Sequence, residues 1–150
     1  MAYWLMKSEP DAYSIDDLEL NGREPWDGIR NYQARNFMRD EMRVGDEIFF
    51  YHSSCAVPAV VGIARVASKP YADPSQFDPD SKYFDDKSTV DDPRWQLVDI
   101  EFVRKTKRPI PLSELKEHPA LADFRLNHRG NRLSIFPVEK QHWDTVLGLE

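Results

Sequence analysis

The stretches Glu47-Ile48-Phe49-Phe50-Tyr51-His52-Ser53 and Ala59-Val60-Val61-Gly62-Ile63-Ala64-Arg65-Val66 decide how this chain is expected to fold. Both are rich in aromatic and β-branched residues, and the turn pair Gly45-Asp46 precedes the first, a pattern typical of β-strands. A glycine inside a strand marks a bend or a close backbone approach, as in small barrels. The two stretches therefore predict two β-strands, the second with a special position at Gly62.

Three further segments carry strand patterns. They are Tyr3–Met6, Trp95–Val103, in which Val98, Ile100 and Phe102 share one face, and Arg132–Val138. The total is about five or six strands, and no regular helical crossovers join them, which disfavours a doubly wound parallel sheet. We therefore predict an α+β fold, a small mixed β-barrel with short helices on its outside.

Three or four short helices are predicted from caps and from helical spacing. Ser14 and Asp17 form a capping box for a helix that ends at Asn21-Gly22. Asn31 caps a helix over about 32–41, and Ser113 caps one within 109–122. A closing helix follows Pro137. The residues expected to face inward are Ala34, Phe37, Met38 and Met42 on the second helix and Trp143, Val146 and Leu147 on the last.

Length and composition favour one domain over residues 1–150. The longest apolar runs, such as Ile48–Tyr51, are too short to cross a bilayer. Cys55 is the single cysteine, which excludes an internal disulfide and fits a reducing, cytoplasmic location.

The net charge of −6 argues against a protein that slides on DNA through a basic surface. The acidic residues are concentrated, however. Residues 72–92 hold seven Asp and two Lys, a net charge of −5, which leaves −1 for the rest of the chain. We expect this segment to be a long loop with little regular structure, a functional loop such as a lid. A basic face is possible at 104–108.

Motifs of catalysis and of cofactor binding are missing. No Gly-rich phosphate-binding motif and no GxSxG elbow occurs, and the four histidines are dispersed. With one cysteine, no local zinc pattern can be assembled. We therefore predict no catalytic residue, no metal and no cofactor. An enzyme of nucleotide or RNA metabolism stays as an alternative, with His52 and Cys55 as its reactive pair.

Residues 26–36 concentrate aromatic, amide and arginine side chains. Aromatic faces stack on a flat heterocycle, amides and carboxylates pair with its edge, and arginines hold a nearby phosphate. The alternative is that Trp26 and Tyr32 only pack in the core.

The chain resembles the EVE domain family of the PUA-like superfamily along nearly its whole length. The matching stretches are Tyr3–Pro10, Trp26–Phe37, Phe49–Ser53, Asp73-Pro74, Phe77–Pro79, Pro93–Trp95, Gly130–Ser134, and Pro137-Val138 with Trp143. The resemblance implies a PUA-like pseudo-barrel with a cleft beside Trp26-Asp27-Gly28. It also implies a role in recognising modified bases.

The expected function is therefore nucleic-acid binding, in which a flipped, modified (for example methylated) base enters an aromatic and polar pocket. The predicted ligand-binding residues are Trp26, Asp27, Arg30, Asn31, Tyr32, Gln33, Ser53 and Trp95, with Trp26, Tyr32 and Trp95 as the pocket rings. The predicted phosphate-binding residues are Lys7, Arg30, Arg35 and Arg132. A second alternative is an adaptor whose pocket is vestigial and whose surface binds a protein.

Overall fold

The computed structural model describes residues 1–150 and contains eight strands and four α-helices. The strands are β1 (Tyr3–Ser8), β2 (Arg23–Pro25), β3 (Glu47–His52), β4 (Ala59–Val66), β5 (Tyr71–Ala72), β6 (Gln96–Leu97), β7 (Asp99–Pro111) and β8 (Ile135–Val138). The helices are α1 (Ile15–Asn21), α2 (Tyr32–Asn36), α3 (Leu112–Glu117) and α4 (Lys140–Leu147). None of the helices is long and apolar enough to cross a membrane.

Six strands form one mixed sheet in the order β2-β7-β4-β3-β1-β8. Only β1 and β3 run parallel, and the other neighbours are antiparallel. The edge strands β2 and β8 do not pair with each other, so the sheet is a half-barrel. The short strands β5 and β6 form a separate ribbon. The predicted α+β fold, a small mixed barrel with short flanking helices, is confirmed.

Strand β3 lies inside the sheet, and both of its faces are covered. Phe50 packs edge-to-face against Trp26 with ring centroids 5.7 Å apart. On the opposite face, Phe49 stacks on Trp143 of α4 at 3.8 Å. Because both faces are buried, the strand reads as a continuous apolar run rather than an alternating one. It belongs to a core of 30 buried residues.

The predicted helix caps at Ser14 and Asn31 are confirmed. Ser14 Oγ accepts a hydrogen bond from the Asp17 N–H at 3.1 Å, and the Asp17 carboxylate accepts one from the Ser14 N–H at 2.9 Å. Asn31 Oδ1 accepts one from the Ala34 N–H at 2.9 Å. Helix α2 continues into a π-helical turn over Phe37–Glu41. The extra residue in that turn brings Met42 into the core just beyond it.

Three sequence predictions differ from the structure. Strand β7 extends to Pro111 because Arg104, Lys105, Ile110 and Pro111 pair with β4 across a shift in register. Most side chains of the charged stretch 104–108 point to solvent. Helix α3 begins at Leu112, so the prediction that Ser113 caps it was wrong. Strand β8 begins at Ile135, three residues later than expected.

Gly62 lets α1 pack directly against β4. A Cβ atom built at this position would lie 2.5 Å from Ile15 Cδ1 and 3.1 Å from the Arg104 carbonyl oxygen. Real Cβ atoms essentially never lie within 3.0 Å of another non-bonded heavy atom, so any side chain at residue 62 would require the Ile15 side chain to move.

We expect Gly62→Ala to lower the free energy of unfolding by about 1–3 kcal/mol, because overpacking a filled core forces side chains and backbone to shift. Urea denaturation measures this effect. In an Ile15→Ala background the added cost of Gly62→Ala should shrink, since the clashing atoms are gone. Equal costs in the two backgrounds would show that Ile15 does not set the requirement for glycine.

Candidate functional site

Asp73 joins the Trp26–Arg30 turn to the acidic segment. Its side chain is 1% exposed. It accepts hydrogen bonds from the Gly28 N–H at 2.8 Å, Arg30 Nη1 at 3.1 Å and the Ser75 N–H and hydroxyl at 2.8 and 2.6 Å. Burial alone would raise the pKa of Asp73. The hydrogen bonds from Ser75, Gly28 and Arg30 outweigh burial and hold that pKa below its ordinary value.

Gln76 organises the rest of the acidic segment from a fully buried position. Its Nε2 donates to the carbonyl oxygens of Asp73 and Trp95, each at 2.7 Å. Its Oε1 accepts from the Ser88 hydroxyl at 2.5 Å and the Trp95 N–H at 3.1 Å. The segment has little regular secondary structure, as expected, but a buried amide fixes its path.

A cavity of about 320 Å³ lies beside Trp26. Three aromatic side chains line it, those of Tyr13, Trp26 and Tyr83. The Tyr13 ring meets Trp26 edge-to-face, with centroids 6.2 Å apart. Tyr83 comes from the acidic segment, and its ring would lie 2.6 Å from a Cβ atom at Gly28. Gly28 also has a φ of +80°, so two independent constraints require glycine there.

The polar edge of this cavity is mainly acidic. Glu24 and Asp27 line it together with Lys82. Partial burial raises the pKa of Asp27, and the nearby carboxylates of Asp73 and Glu24 raise it further. A ligand group that donates hydrogen bonds to these carboxylates would relieve their mutual repulsion.

Tyr32 and Trp95 lie outside this cavity and stack on each other. Their ring centroids are 4.6 Å apart with an interplanar angle of 23°. The guanidinium of Arg30 lies 5.2 Å from the Trp95 ring, and that of Arg35 lies 4.8 Å from the Tyr32 ring. The expectation that Trp26, Tyr32 and Trp95 line one pocket therefore differs from the structure, because Tyr32 and Trp95 stack on each other and do not line the Trp26 cavity.

Arg30 is a structural clamp in this geometry. It donates five hydrogen bonds, two to the Tyr83 carbonyl oxygen and one each to the Ile29 carbonyl oxygen, Asp73 and Ser75. A guanidinium has five N–H donors, so Arg30 has no donor left for the phosphate contact that was predicted from the sequence. Arg35 donates to the Arg94 carbonyl oxygen and twice to Asn36 Oδ1, which leaves it partly engaged.

The other predicted site residues are scattered around these two aromatic groups. Asn31 and Gln33 are exposed at the start of α2, and Asn31 is engaged as the helix cap. Ser53 is half-buried at the end of β3, where its N–H donates to the Ser8 carbonyl oxygen. Lys7 lines a different cavity, and Arg132 is exposed.

His52 holds the start of α1. Its Nε2 accepts a hydrogen bond from the Ile15 N–H at 3.1 Å, and burial lowers the pKa of His52. That nitrogen is therefore occupied by the protein itself and is not aimed at Cys55 as a base for a thiol nucleophile would be.

Tyr13, Glu24, Lys82 and Tyr83 line the Trp26 cavity, and sequence reasoning assigned them no role. Glu24 could have been found from its place two residues before Trp26. Tyr83 could not, because nothing local indicates that it meets Gly28.

Comparisons with known proteins identify the family to which this chain belongs. The EVE domain family model matches residues 2–149. This chain belongs to the EVE domain family. Mouse thymocyte nuclear protein 1 is 43% identical, over 99% of this chain and 73% of the mouse protein. A crystal structure of a Pseudomonas syringae protein is 49% identical with a TM-score of 0.94, and 99% of each chain is covered.

Another EVE relative is known in complex with DNA. The crystal structure of the human THYN1 protein in complex with 5-methylcytosine-containing DNA has a TM-score of 0.94 and 40% identity, and 99% of this chain and 97% of the human chain are covered. The YTH domain of Zygosaccharomyces rouxii MRB1, in complex with N6-methyladenosine RNA, has a TM-score of 0.55 and 13% identity, and 99% of this chain and 85% of that chain are covered. At that identity the YTH domain shares the fold alone. The predicted PUA-like architecture is thereby confirmed.

We expect Gly28→Ala to lower the free energy of unfolding by more than Gly130→Ala. Both glycines have a φ near +80°, but no atom lies within 4 Å of a Cβ at Gly130, whereas Tyr83 blocks one at Gly28. The backbone cost alone is about 1–2 kcal/mol, and Gly28→Ala should add the cost of displacing Tyr83. Urea denaturation of both variants tests this, and equal losses would contradict it.

Asp73 should make unfolding depend on pH in acid. Because the pKa of Asp73 is lowered in the folded state, its stabilisation is complete above the ordinary aspartate pKa near 4 and is lost as pH falls through the folded value. We expect Asp73→Asn to cost about 2–3 kcal/mol at pH 7. The difference from wild type should shrink below about pH 4. Asp80→Asn, on the exposed part of the same segment, is the control and should change little at either pH.

Proposed function

We propose that this protein binds nucleic acid and captures a flipped, modified base in the Trp26 cavity. The observation that carries the proposal is a cavity with aromatic walls and a carboxylate edge. Its volume of about 320 Å³ falls within the range of roughly 300–1,000 Å³ typical of small-ligand pockets. The human THYN1 complex with 5-methylcytosine-containing DNA, at 40% identity, supports the same class of ligand.

Stacking alone does not give net affinity. Extruding a base from a duplex costs a few kcal/mol, and stacking on an aromatic side chain returns about 1–3 kcal/mol per base. Contacts to the base edge and to the backbone must therefore supply the remainder.

The edge contacts favour a base that carries an exocyclic amine. Carboxylates accept hydrogen bonds from the cytosine N4 amine. Glu24 and Asp27 present two such acceptors. Thymine and uracil would place a carbonyl oxygen where cytosine has its amine, and would leave a carboxylate without a donor. Discrimination between base types is therefore expected to exceed discrimination between methylated and plain cytosine. A fully buried methyl group is worth only about 0.8 kcal/mol, or about fourfold in affinity.

The acidic segment acts as a wall of this site. Its net charge opposes nucleic acid in general, but Asp73 and Asp85 are engaged within the protein, and Lys82 and Tyr83 face the cavity. Of the predicted phosphate contacts, Lys7 and Arg132 stay as proposals, whereas Arg30 is better explained as the clamp that positions Tyr83. Asn31, Gln33, Ser53 and Arg35 also remain candidates for contacts outside the cavity.

The proposed role is binding without a chemical reaction. The engaged Nε2 of His52 supports this assignment, because the alternative enzyme needed His52 as the base for Cys55. Turnover of a nucleotide that is lost in Cys55→Ser would contradict it.

Replacing Tyr83 should distinguish the Trp26 cavity from the Tyr32–Trp95 pair. We expect Tyr83→Ala and Trp26→Ala to weaken binding of an oligonucleotide containing 5-methylcytosine by about 5- to 150-fold, the value of one stacking contact. Tyr32→Ala is the matched control, since Tyr32 is exposed on the other aromatic group, and it should leave the affinity within about twofold of wild type. Fluorescence anisotropy of labelled oligonucleotides measures all three.

If Tyr32→Ala lost affinity while Tyr83→Ala bound as wild type does, the ligand would lie on the Tyr32–Trp95 pair and not in the Trp26 cavity. No binding of cytosine, 5-methylcytosine, adenine or N6-methyladenine oligonucleotides by wild type would remove the proposal and favour the adaptor.

A further inference from the structure

A second, larger cavity of about 670 Å³ lies on the face of β3 opposite to Phe50 and Trp26. Its lining includes several basic residues. Lys7 of β1 and Tyr51 of β3 are direct partners in the parallel pairing, so their side chains share one face of the sheet. Lys116 of α3 and Arg129 complete the basic lining, and no Asp or Glu contributes to it.

Tyr51 presents an unused hydroxyl to this cavity. The residue is only 3% exposed, yet its hydroxyl makes no hydrogen bond within the protein. The oxygen keeps some contact with open space, since it is not among the fully buried polar atoms without a partner. Burial raises the pKa of Tyr51 to about 12, so the hydroxyl keeps its proton and can donate it in a hydrogen bond.

Lys7 brings a positive charge without a counter-ion. Its ammonium group lies 5.9 Å from the Phe136 ring, and no carboxylate lies within ion-pair distance. Partial burial lowers the pKa of Lys7, because the charged form is incompletely hydrated. An anion beside Lys7 would compensate for that lost hydration.

The basic residues of β7 provide a contrast. Arg104 pairs with Glu150, Lys105 with Asp16, and Arg108 with Glu114. These side chains are neutralised on the protein surface, whereas the cavity groups are not. Three of the four basic residues of 104–108 therefore have acidic partners, whereas none of the basic residues that line the second cavity has one.

We infer that the cavity between Lys7, Tyr51 and Arg129 is a binding site for a phosphate group, with the Tyr51 hydroxyl and the Lys7 ammonium as its inner donors. Phosphate oxygens accept charge-assisted hydrogen bonds from ammonium groups, and a neutral ligand would leave the charge of Lys7 uncompensated. The site lies apart from the Trp26 cavity and does not depend on base capture. Its phosphate could belong to a nucleic-acid backbone or to a free nucleotide.

Titration of the isotopically labelled protein with inorganic phosphate, followed by amide chemical shifts at constant ionic strength, tests the site. We expect saturable shifts at Lys7, Tyr51 and 127–131. Tyr51→Phe removes one oxygen and should weaken phosphate binding about fivefold. Lys7→Gln should weaken it about tenfold or more. Tyr3→Phe and Lys69→Gln are the matched controls and should bind phosphate as wild type does.

The source of the phosphate is resolved by two competitors. Tighter binding of an abasic deoxyribose-phosphate oligomer at the same amides would assign a polynucleotide backbone, and tighter binding of a 5′-mononucleotide would assign a free nucleotide. Shifts that do not saturate, or unchanged affinity in both Tyr51→Phe and Lys7→Gln, would overturn the inference. Tyr83→Ala, which alters the Trp26 cavity outside the core, should leave the inorganic phosphate shifts intact, so failure of base capture and failure of this site give different results.

Discussion

The carboxylate of Asp73 is the constraint on which the candidate site depends. It binds the Gly28 N–H and the Arg30 guanidinium, and Arg30 in turn holds the Tyr83 carbonyl oxygen. Tyr83 can approach only because residue 28 has no side chain. One buried charge thus sets the position of a wall of the Trp26 cavity. A buried carboxylate is tolerated here because four hydrogen bonds replace its water.

Local signals allowed much of the scaffold to be predicted from sequence. The capping box at Ser14, the cap at Asn31 and the apolar strand around Phe49 depend on residues close in the chain, and each was found in the structure. The C-terminal limit of β7 was missed because its local signals are misleading. Its outer half carries charges that resemble a loop, and only pairing with β4 shows that it is a strand.

The candidate site was less predictable because it is assembled from distant segments. Gly28 meets Asp73, and Arg30 meets Tyr83, across separations of 45 and 53 residues. A single sequence holds no record of such pairings. Composition indicated that aromatic rings and arginines near residue 30 contribute to a binding site. It could not show that Trp95 stacks on Tyr32, or that all five N–H donors of Arg30 bond to the protein itself.

The position of β1 has a consequence for how the molecule forms. This first strand lies between β3 and β8, and the latter comes from the far end of the described chain. Neither contact can be made by a tight hairpin, and the parallel pairing with β3 needs a long connection, which here contains α1, β2 and α2. Long-range pairing of this kind slows folding and raises contact order. During synthesis on the ribosome, β1 therefore keeps an open edge until Ile135–Val138 emerge, and the chain is most exposed to mispairing in that interval.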